Sequence, residues 1–189
     1  MNSPGVVSAS VVARRKLPTR RRFSLAGFAM LAFVFSAASA DAAMIDFDSL
    51  QHGEIVDTDF VMSFGVEISA ENVGGGPDLA VGFDTTETGT RDPDLEADPF
   101  WSGGNIQYEA LGIILIIQEN DFGCGDDICD YPDDEGSRPA GQFIFDFEAL
   151  GVPISEFGFD LIDVEGVGSH QENGAVVFLF DGDMLIDEI

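Results

Sequence analysis

The chain has 189 residues, 45% of them hydrophobic, and it carries 35 acidic residues against eight basic ones, a formal net charge of −27. A polyanion of this density repels nucleic acid and anionic lipid, which excludes binding to either. The chain nevertheless contains 17 phenylalanines, which a disordered acidic chain would lack. The composition therefore predicts a folded acidic protein with its own apolar core.

The first 40 residues have the three parts of an export signal. Six arginines and lysines between positions 14 and 22 precede the apolar run FSLAGFAMLAFVFSAA (23–38), and ASA at 38–40 is a small-residue cleavage site. Sixteen apolar residues are fewer than the roughly 20 that span a bilayer, so we expect cleavage and not an uncleaved anchor. The stretch TRRRFSL (19–25) resembles the twin-arginine export motif, and ordinary unfolded secretion is the alternative.

Cleavage would leave residues 41–189 with two basic residues, Arg91 and Arg138, against all 35 acidic ones, a formal charge of −33. No lysine would remain, which excludes Schiff-base chemistry and a phosphate-binding P-loop. We expect this mature chain to be a single domain without membrane insertion, located outside the cell, on the cell surface or in the periplasm.

The apolar segments of the mature chain are short and are separated by Gly, Pro, Asp and Asn, which is typical of strands joined by turns. The predicted strands are 44–48, 64–70, 79–84, 111–118, 141–147, 156–165 and 174–180. The runs GIILIIQ and AVVFLF lack alternation and are expected to be covered on both faces. The sequence therefore predicts an all-β fold, an antiparallel jelly-roll-like β-sandwich.

The predicted strand 156–165 carries acidic residues on its apolar face. Phe157, Phe159 and Leu161 define that face, and the two-residue period adds Asp163 and Glu165 to it. An inward carboxylate costs several kcal/mol unless it is paired or coordinated. Because the mature chain has so few basic side chains, a bound cation is the predicted partner; the alternative is a strand that twists out into solvent.

The stretch FDTTETGTRDPDLE (83–96) concentrates five carboxylates in the loop that follows a predicted strand. Ca²⁺ takes six to eight oxygen ligands from carboxylates, amides and backbone carbonyls. The alternative is a solvated acidic surface that keeps the protein soluble in salt. We expect a calcium site, and its candidate ligands are Asp84, Asp92, Asp94 and Asn105 in the first rank, followed by Glu119 and Asp163.

A second acidic segment, 121–135, contains seven carboxylates and the pair Cys124 and Cys129. In an exported protein, two cysteines five residues apart are expected to form a local disulfide, which stabilises modestly because the closed loop is short. Free thiols or a second ion site are the alternatives.

The sequence contains no recognisable catalytic motif. His52 and His170 are its only histidines, and neither G-x-S-x-G nor H-E-x-x-H occurs. We therefore expect a non-catalytic protein. Trp101, next to the predicted ion site, is a candidate to stack on a sugar ring; the alternative is an aromatic residue of the core or of a sheet edge.

Several segments occur in an order known from one protein family: FGVEISA, FDTTETGTRDPDLE, IIQEN, PDDEGSRPAG and FGFDLIDVE. In this order, over residues 44–180, the chain resembles secreted bacterial surface proteins of the PEP-CTERM type. The resemblance implies a jelly-roll-like sandwich, export, association with a surface or matrix, and no established reaction. The family's V-P-E-P signal, membrane helix and basic tail do not occur, so we expect a chain truncated at its C-terminus or a secreted form without the anchor.

Three functional hypotheses follow from these observations. The first is an exported, non-catalytic, calcium-binding sandwich whose edge loops associate with polysaccharide or other matrix material. The second is a hydrolase acting on polysaccharides, with a carboxylate pair as its catalytic groups. The third is a purely structural surface protein whose acidity is an adaptation to salt.

Overall fold

The computed structural model describes the backbone of residues 9–15 and, in addition, residues 44–99, 106, 108–137, 139–152, 154, 156–160, 162 and 176–189. The predicted apolar run of the export signal and three candidate site residues, Trp101, Asn105 and Asp163, lie outside these ranges. Within these ranges, no helix has the length and apolar character needed to cross a membrane.

The regular secondary structure of the described residues is β-strand apart from one short α-helix and one 3₁₀ turn, which confirms the predicted all-β class. The strands are β1 (Ala9–Arg15), β2 (Ile55–Val56), β3 (Glu67–Asn72), β4 (Ala80–Asp84), β5 (Ile113–Ile117), β6 (Cys124–Gly125), β7 (Ile128–Cys129), β8 (Gly141–Asp146), β9 (Val176–Asp181) and β10 (Met184–Glu188). The helix α1 spans Val61–Phe64, and the 3₁₀ turn spans Glu148–Leu150.

The strands form three sheets, ordered β10-β9-β1-β8-β3, β2-β4-β5 and β6-β7. All described strand pairs are antiparallel except the two made by β1, which runs parallel to both β8 and β9. The antiparallel prediction therefore holds for every pair that does not involve β1. That strand comes from the predicted leader, where the sequence indicated no strand.

The sheet β2-β4-β5 has apolar side chains on both faces. One face contributes to a first apolar cluster, which also contains Ile68 of β3 and Phe145 of β8 from the five-stranded sheet. The other face contributes Phe83 and Ile116 to a second apolar cluster, which also contains Leu95. The burial of both faces confirms the prediction for GIILIIQ. Leu95 belongs to the acidic loop 85–97, so its packing in the second cluster attaches this loop to the core.

The segment 44–48, predicted as a strand, is not a strand, and a turn over residues 47–50 begins at its end. Phe47 has a positive φ of 58°, and its carbonyl oxygen accepts a hydrogen bond of 2.9 Å from the N–H of Leu50. Its ring packs edge-on against Phe60, with 5.4 Å between ring centroids. The apolar residue at this place therefore anchors a turn to the core and does not pair with a neighbouring strand.

The predicted strand 156–165 is also not a strand in its described residues, 156–160 and 162. The ring of Phe157 nevertheless packs against Phe145 and Phe147, with centroid distances of 5.4 and 5.3 Å. Beside β8, the place that such a strand could take is held by β1.

Candidate functional site

The loop 85–97 is closed at its base by hydrogen bonds of a buried threonine. Thr85 donates both its N–H and its hydroxyl to the carbonyl of Gly112, each over 3.0 Å. Its own carbonyl accepts a 2.6 Å hydrogen bond from the N–H of Ala97. Together with buried Leu95, these bonds fix the loop that carries the Asp-Pro-Asp segment 92–94.

Glu96 is a fully buried carboxylate within this loop, with 0% of its surface exposed. Its Oε1 accepts hydrogen bonds from the N–H and the hydroxyl of Thr90, at 2.7 and 2.8 Å. Its Oε2 is also buried and has no hydrogen-bond partner among the described residues. Burying a carboxylate oxygen without a partner is costly, so the loop contains an acidic oxygen whose bonding capacity is unmet.

A second loop, 131–135, is held beside the end of β5 by Gln118, whose side chain is buried. Its Nε2 donates hydrogen bonds of 3.0 and 3.2 Å to the carbonyls of Asn120 and Tyr131. Its Oε1 accepts a hydrogen bond of 3.2 Å from the N–H of Asp133. A β-bridge between Gln118 and Asp134 completes this attachment. The neutral amide therefore determines where the acidic residues 133–135 lie.

Glu135 at the end of this loop is 3% exposed and bonds to Asn72. The Nδ2 of Asn72 donates to the Glu135 carboxylate and to the carbonyl of Gln118, each over 2.8 Å. The Oδ1 of Asn72 accepts from the N–H groups of residues 74–76 at 2.7, 3.0 and 3.2 Å. A Cβ at Gly74 would overlap the carboxylate group of Glu135, so a side chain at this position would displace that carboxylate from Asn72.

The two loops, together with Glu119 after β5, bring together five carboxyl groups, which we call the carboxylate cluster: Asp92, Asp94, Glu119, Asp133 and Asp134. Asp92 is 4% exposed, and its side chain hydrogen-bonds with the side chains of Asp94 and Asp134. The N–H of Asp134 also donates to Oδ2 of Asp92 over 3.3 Å. The Asp133 side chain hydrogen-bonds with that of Glu119. The cluster thus consists of two neighbouring sets, and the carboxyl groups within each set are in contact. Asp92, Asp94 and Asp134 form the first set, and Asp133 and Glu119 form the second.

Three members of the cluster, Asp92, Asp133 and Asp134, have raised pKa values, which favours their neutral forms. Burial, hydrogen bonding with Asp94 and the charge of Asp134 raise the pKa of Asp92 to about 11. Burial and the nearby Glu119 raise the pKa of Asp133 to about 7, against the opposing effect of Arg91. Burial also raises the pKa of Asp134. At neutral pH, the cluster without a cation therefore has to retain protons.

The candidate ligands predicted from the sequence have different outcomes. Asp92 and Asp94 lie together, and Glu119 belongs to the same cluster through Asp133. The carboxylate of Asp84 instead accepts hydrogen bonds from the N–H and the hydroxyl of Thr86, at 2.8 and 2.7 Å. The other candidates, Asn105 and Asp163, and the proposed sugar-stacking Trp101 are not among the described residues.

Sequence reasoning did not rank Asp133 and Asp134 as ligands. They belong to the second acidic segment, and 42 positions separate Asp134 from Asp92. The available signal was the Asp-Asp-Glu run directly after Pro132, close to the end of the second acidic segment. Among the described residues, no three His, Cys, Asp or Glu side chains are arranged around one point as metal ligands.

Cys124 and Cys129 form a disulfide, as predicted. The bond links β6 to β7, and Asp126 and Asp127 form the turn between them with φ values of 51° and 65°. Two successive residues with positive φ are typical of a type I′ turn, in which Asp is well tolerated. A disulfide is typical of proteins in a non-reducing compartment.

An open cleft of about 360 Å³ lies next to the cluster and is lined by His52, residues 87–91 and residues 130–132. The guanidinium carbon of Arg91 lies 4.8 Å from the ring centroid of Phe122 and 5.0 Å from that of Tyr131. The two rings are 56% and 46% exposed. Burial lowers the pKa of His52, whose Nδ1 accepts a 3.0 Å hydrogen bond from the N–H of Asp84. The cleft therefore offers hydroxyl, imidazole and guanidinium groups beside exposed aromatic rings.

The chain matches no protein-family model, no characterised protein and no solved structure. The resemblance to PEP-CTERM surface proteins therefore stays a prediction. Function has to be inferred from the chemistry of the carboxylate cluster and of the adjacent cleft.

Proposed function

We propose that the protein is an exported, non-catalytic β-sandwich that binds Ca²⁺ at the carboxylate cluster and associates, through the adjacent cleft, with polysaccharide or other matrix material. The observation that carries this proposal is the contact of the buried Asp92 with Asp94 and Asp134. Carboxylates in contact at a buried position need either shared protons or a cation between them.

The chemistry of the ligands favours Ca²⁺ over other common metals. The cluster offers only oxygen, and both cysteines of the chain are in the disulfide. Zn²⁺ prefers nitrogen and sulfur ligands, and Mg²⁺ demands a near-ideal octahedron and releases its water reluctantly. Ca²⁺ accepts irregular sets of six to eight oxygens, so two carboxylates can be completed by backbone carbonyls and water.

A cation at this position would crosslink two loops that are distant in sequence. It would join the Asp-Pro-Asp segment 92–94 to residues 133 and 134, and it would replace protons that the cluster otherwise has to hold. The gain depends on concentration: at a hundred times the dissociation constant, a ligand specific for the folded state adds about 2.7 kcal/mol to stability. Extracellular calcium modules have dissociation constants of roughly 0.1 to 1 mM, and we expect this range.

Two features support the location and architecture in this proposal. The disulfide is compatible with export to a non-reducing compartment. The first apolar cluster contains residues of both larger sheets, as in a sandwich in which two sheets share a core. We propose that the mature fold is of the jelly-roll type.

Association with a glycan is supported by the cleft and by the exposed rings beside it. Ring faces cover the apolar side of a sugar, and hydroxyl, imidazole and guanidinium groups bond to its hydroxyls. Tyr131 and Phe122 are the candidates to carry such contacts among the described residues. Binding of soluble polysaccharides to Tyr131→Ala, compared with the unchanged protein, tests this part of the proposal, and equal affinities would contradict it.

Thermal unfolding at constant ionic strength tests the calcium proposal. The metal-depleted protein is melted in NaCl alone, with added Mg²⁺, and with added Ca²⁺. We expect Ca²⁺ to raise the melting temperature by several degrees, because it binds only the folded state, and Mg²⁺ to raise it much less. The same stabilisation by all three salts would favour the third hypothesis, in which acidity is an adaptation to salt.

A further inference from the structure

The central strand of the five-stranded sheet comes from the predicted leader. β1 pairs with β8 from Ala9 opposite Gly141 to Arg14 opposite Asp146, and with β9 from Ser10 opposite Val176 to Arg15 opposite Asp181. If the leader is cleaved after residue 40, both β8 and β9 lose this partner. Two strand edges would then face each other across a gap one strand wide, with their N–H and C=O groups unpaired.

The topology indicates which kind of strand fits this gap. Because β8 and β9 both run parallel to β1, they run parallel to each other. A strand that lies between β8 and β9 and runs antiparallel to both would form a simple three-stranded meander with them. Antiparallel neighbours need only short connections, whereas a parallel neighbour needs a long crossover. The chain that links β8 to β9 is therefore the natural source of the missing strand.

Within that link, residues 156–160 have the required pattern and position. We call EFGFD (156–160) the phenylalanine segment, and its alternation of Phe with charged residues or Gly is that of a strand with one apolar face. Phe157 already packs against Phe145 of β8, and it lies against the same apolar cluster as Val177 of β9. The segment therefore lies beside the sheet, and its backbone is in no strand.

We propose that β1 holds the place of the phenylalanine segment in the uncut chain, and that after leader cleavage this segment enters the sheet as an antiparallel strand between β8 and β9. The sheet order then becomes β3, β8, phenylalanine segment, β9, β10, with all neighbours antiparallel. The inference rests on the export part of the proposed function, because it requires removal of the leader. The uncut and the processed chain thus differ by the exchange of one central strand.

Hydrogen exchange before and after cleavage of the full chain tests the exchange of strands. A protease recognition sequence is placed between residues 40 and 44, the full chain is folded, and the leader is cut in vitro. We expect the leader to dissociate, the amides of residues 156–160 to exchange at least about tenfold more slowly than before, and the amides of β8 and β9 to stay protected. Persistence of the cut leader in the complex would overturn the proposal.

Release of the leader without new protection of residues 156–160 would overturn it as well. The same holds if the cut protein becomes a dimer while residues 156–160 stay unprotected, because a strand of a second copy would then fill the gap. The mass of the exported natural protein tests the export step separately. A retained leader would contradict the proposed export, and the in vitro exchange result would still decide the strand replacement.

Two proline variants supply matched controls. Proline cannot donate to a strand ladder and is not tolerated in a central strand. We expect Gly158→Pro to leave the melting temperature of the uncut chain unchanged and to lower that of the cut chain by about 4 °C or more. Val12→Pro should do the reverse, lowering the melting temperature of the uncut chain only. A Gly158→Pro variant that melts like the unchanged protein in both forms would contradict the proposal.

Discussion

Buried and exposed aspartates of this protein show how one side chain acts in two settings. Asp92 and Asp134 contact each other between two loops, and burial raises the pKa of both. Asp126 and Asp127 are exposed at the tip of the disulfide hairpin, where their positive φ values serve the turn. The abundance of acidic residues therefore does not by itself define a site. What distinguishes the carboxylate cluster is that Asp92 is buried against other carboxyl groups.

The aspartates of the carboxylate cluster lie close together because two uncharged polar side chains hold the loops that carry them. Thr85 closes the first loop, and Gln118 fixes the second, each through hydrogen bonds to backbone groups. These anchors determine the positions of Asp92 and Asp134 before their charges are considered. The aspartates of the hairpin follow one another in the chain and are exposed to water.

The largest expected effect is the loss of calcium stabilisation when an aspartate of the carboxylate cluster, and not one of the hairpin, is substituted. Asp92→Asn should abolish the stabilisation by Ca²⁺, about 2.7 kcal/mol at a hundred times the dissociation constant. Without metal, the same variant should be at least as stable as the unchanged protein, because a neutral amide needs no proton. Urea unfolding with and without Ca²⁺ measures both effects. Asp126→Asn is the matched control and should keep the full calcium effect; its loss in both variants would contradict the assignment.

The next effect concerns the attachment of the second loop. Gly74→Ala places a Cβ 2.3 Å from the carboxylate carbon of Glu135, which Asn72 holds in place. We expect a loss of about 1 to 3 kcal/mol, as for other overpacked sites, measured by urea unfolding. Gly136→Ala is the control, because a Cβ there meets no atom within 4 Å, and it should change stability by less than about 0.5 kcal/mol. Equal effects of the two substitutions would show that the Asn72–Glu135 contact does not fix this loop.

The pH dependence should separate the metal-free from the calcium-bound protein. The pKa of Asp133 is raised to about 7 and that of Asp92 to about 11, so the folded state binds protons more tightly than the unfolded chain. Stability of the metal-depleted protein should therefore be highest near pH 4 and should fall as the pH rises through 7 and beyond. Calcium competes with these protons, so its stabilising effect should grow with pH. Melting curves from pH 4 to 9 measure this; a calcium effect that is independent of pH would argue for a site elsewhere.

The smallest expected effect is at the edge of the cleft. Arg91→Lys keeps the positive charge near Asp133 and loses the planar stacking on Phe122 and Tyr131. Exposed cation–π contacts contribute about 0.5 to 1 kcal/mol, so urea unfolding should show a loss no larger than this. The calcium effect should be unchanged. A loss of calcium binding would mean that Arg91 positions the cluster more directly than its contacts suggest.

The central strands could be predicted because their patterns are local. β4, β5 and β8 lie within the predicted segments 79–84, 111–118 and 141–147, which are apolar runs bounded by turn residues. The local disulfide was predictable for the same reason. β1 was not predicted, because the sequence analysis placed it in an export signal, and its strand character comes from its pairing with β8 and β9. β10 was missed because the exposed sequence MLIDE shows no buried face.

The candidate site could be predicted only in part. Asp92, Asp94 and Glu119 were recognised by their residue type and by the loops that carry them. Their association with Asp133 and Asp134 depends on the bridge at Gln118, which joins segments distant in sequence. Asp84 was predicted to be a calcium ligand because it has a carboxylate. In the structure, this carboxylate accepts hydrogen bonds from Thr86 in a local turn.

Calorimetric titration of the metal-depleted protein with Ca²⁺ in 150 mM NaCl at about pH 7.5 tests the central claim most directly. We expect one saturable site per chain with a dissociation constant of roughly 0.1 to 1 mM, release of protons on binding, and loss of the site in Asp92→Asn but not in Asp126→Asn. Weak binding without saturation that is the same for Mg²⁺, and the same in both variants, would contradict a calcium site at the carboxylate cluster.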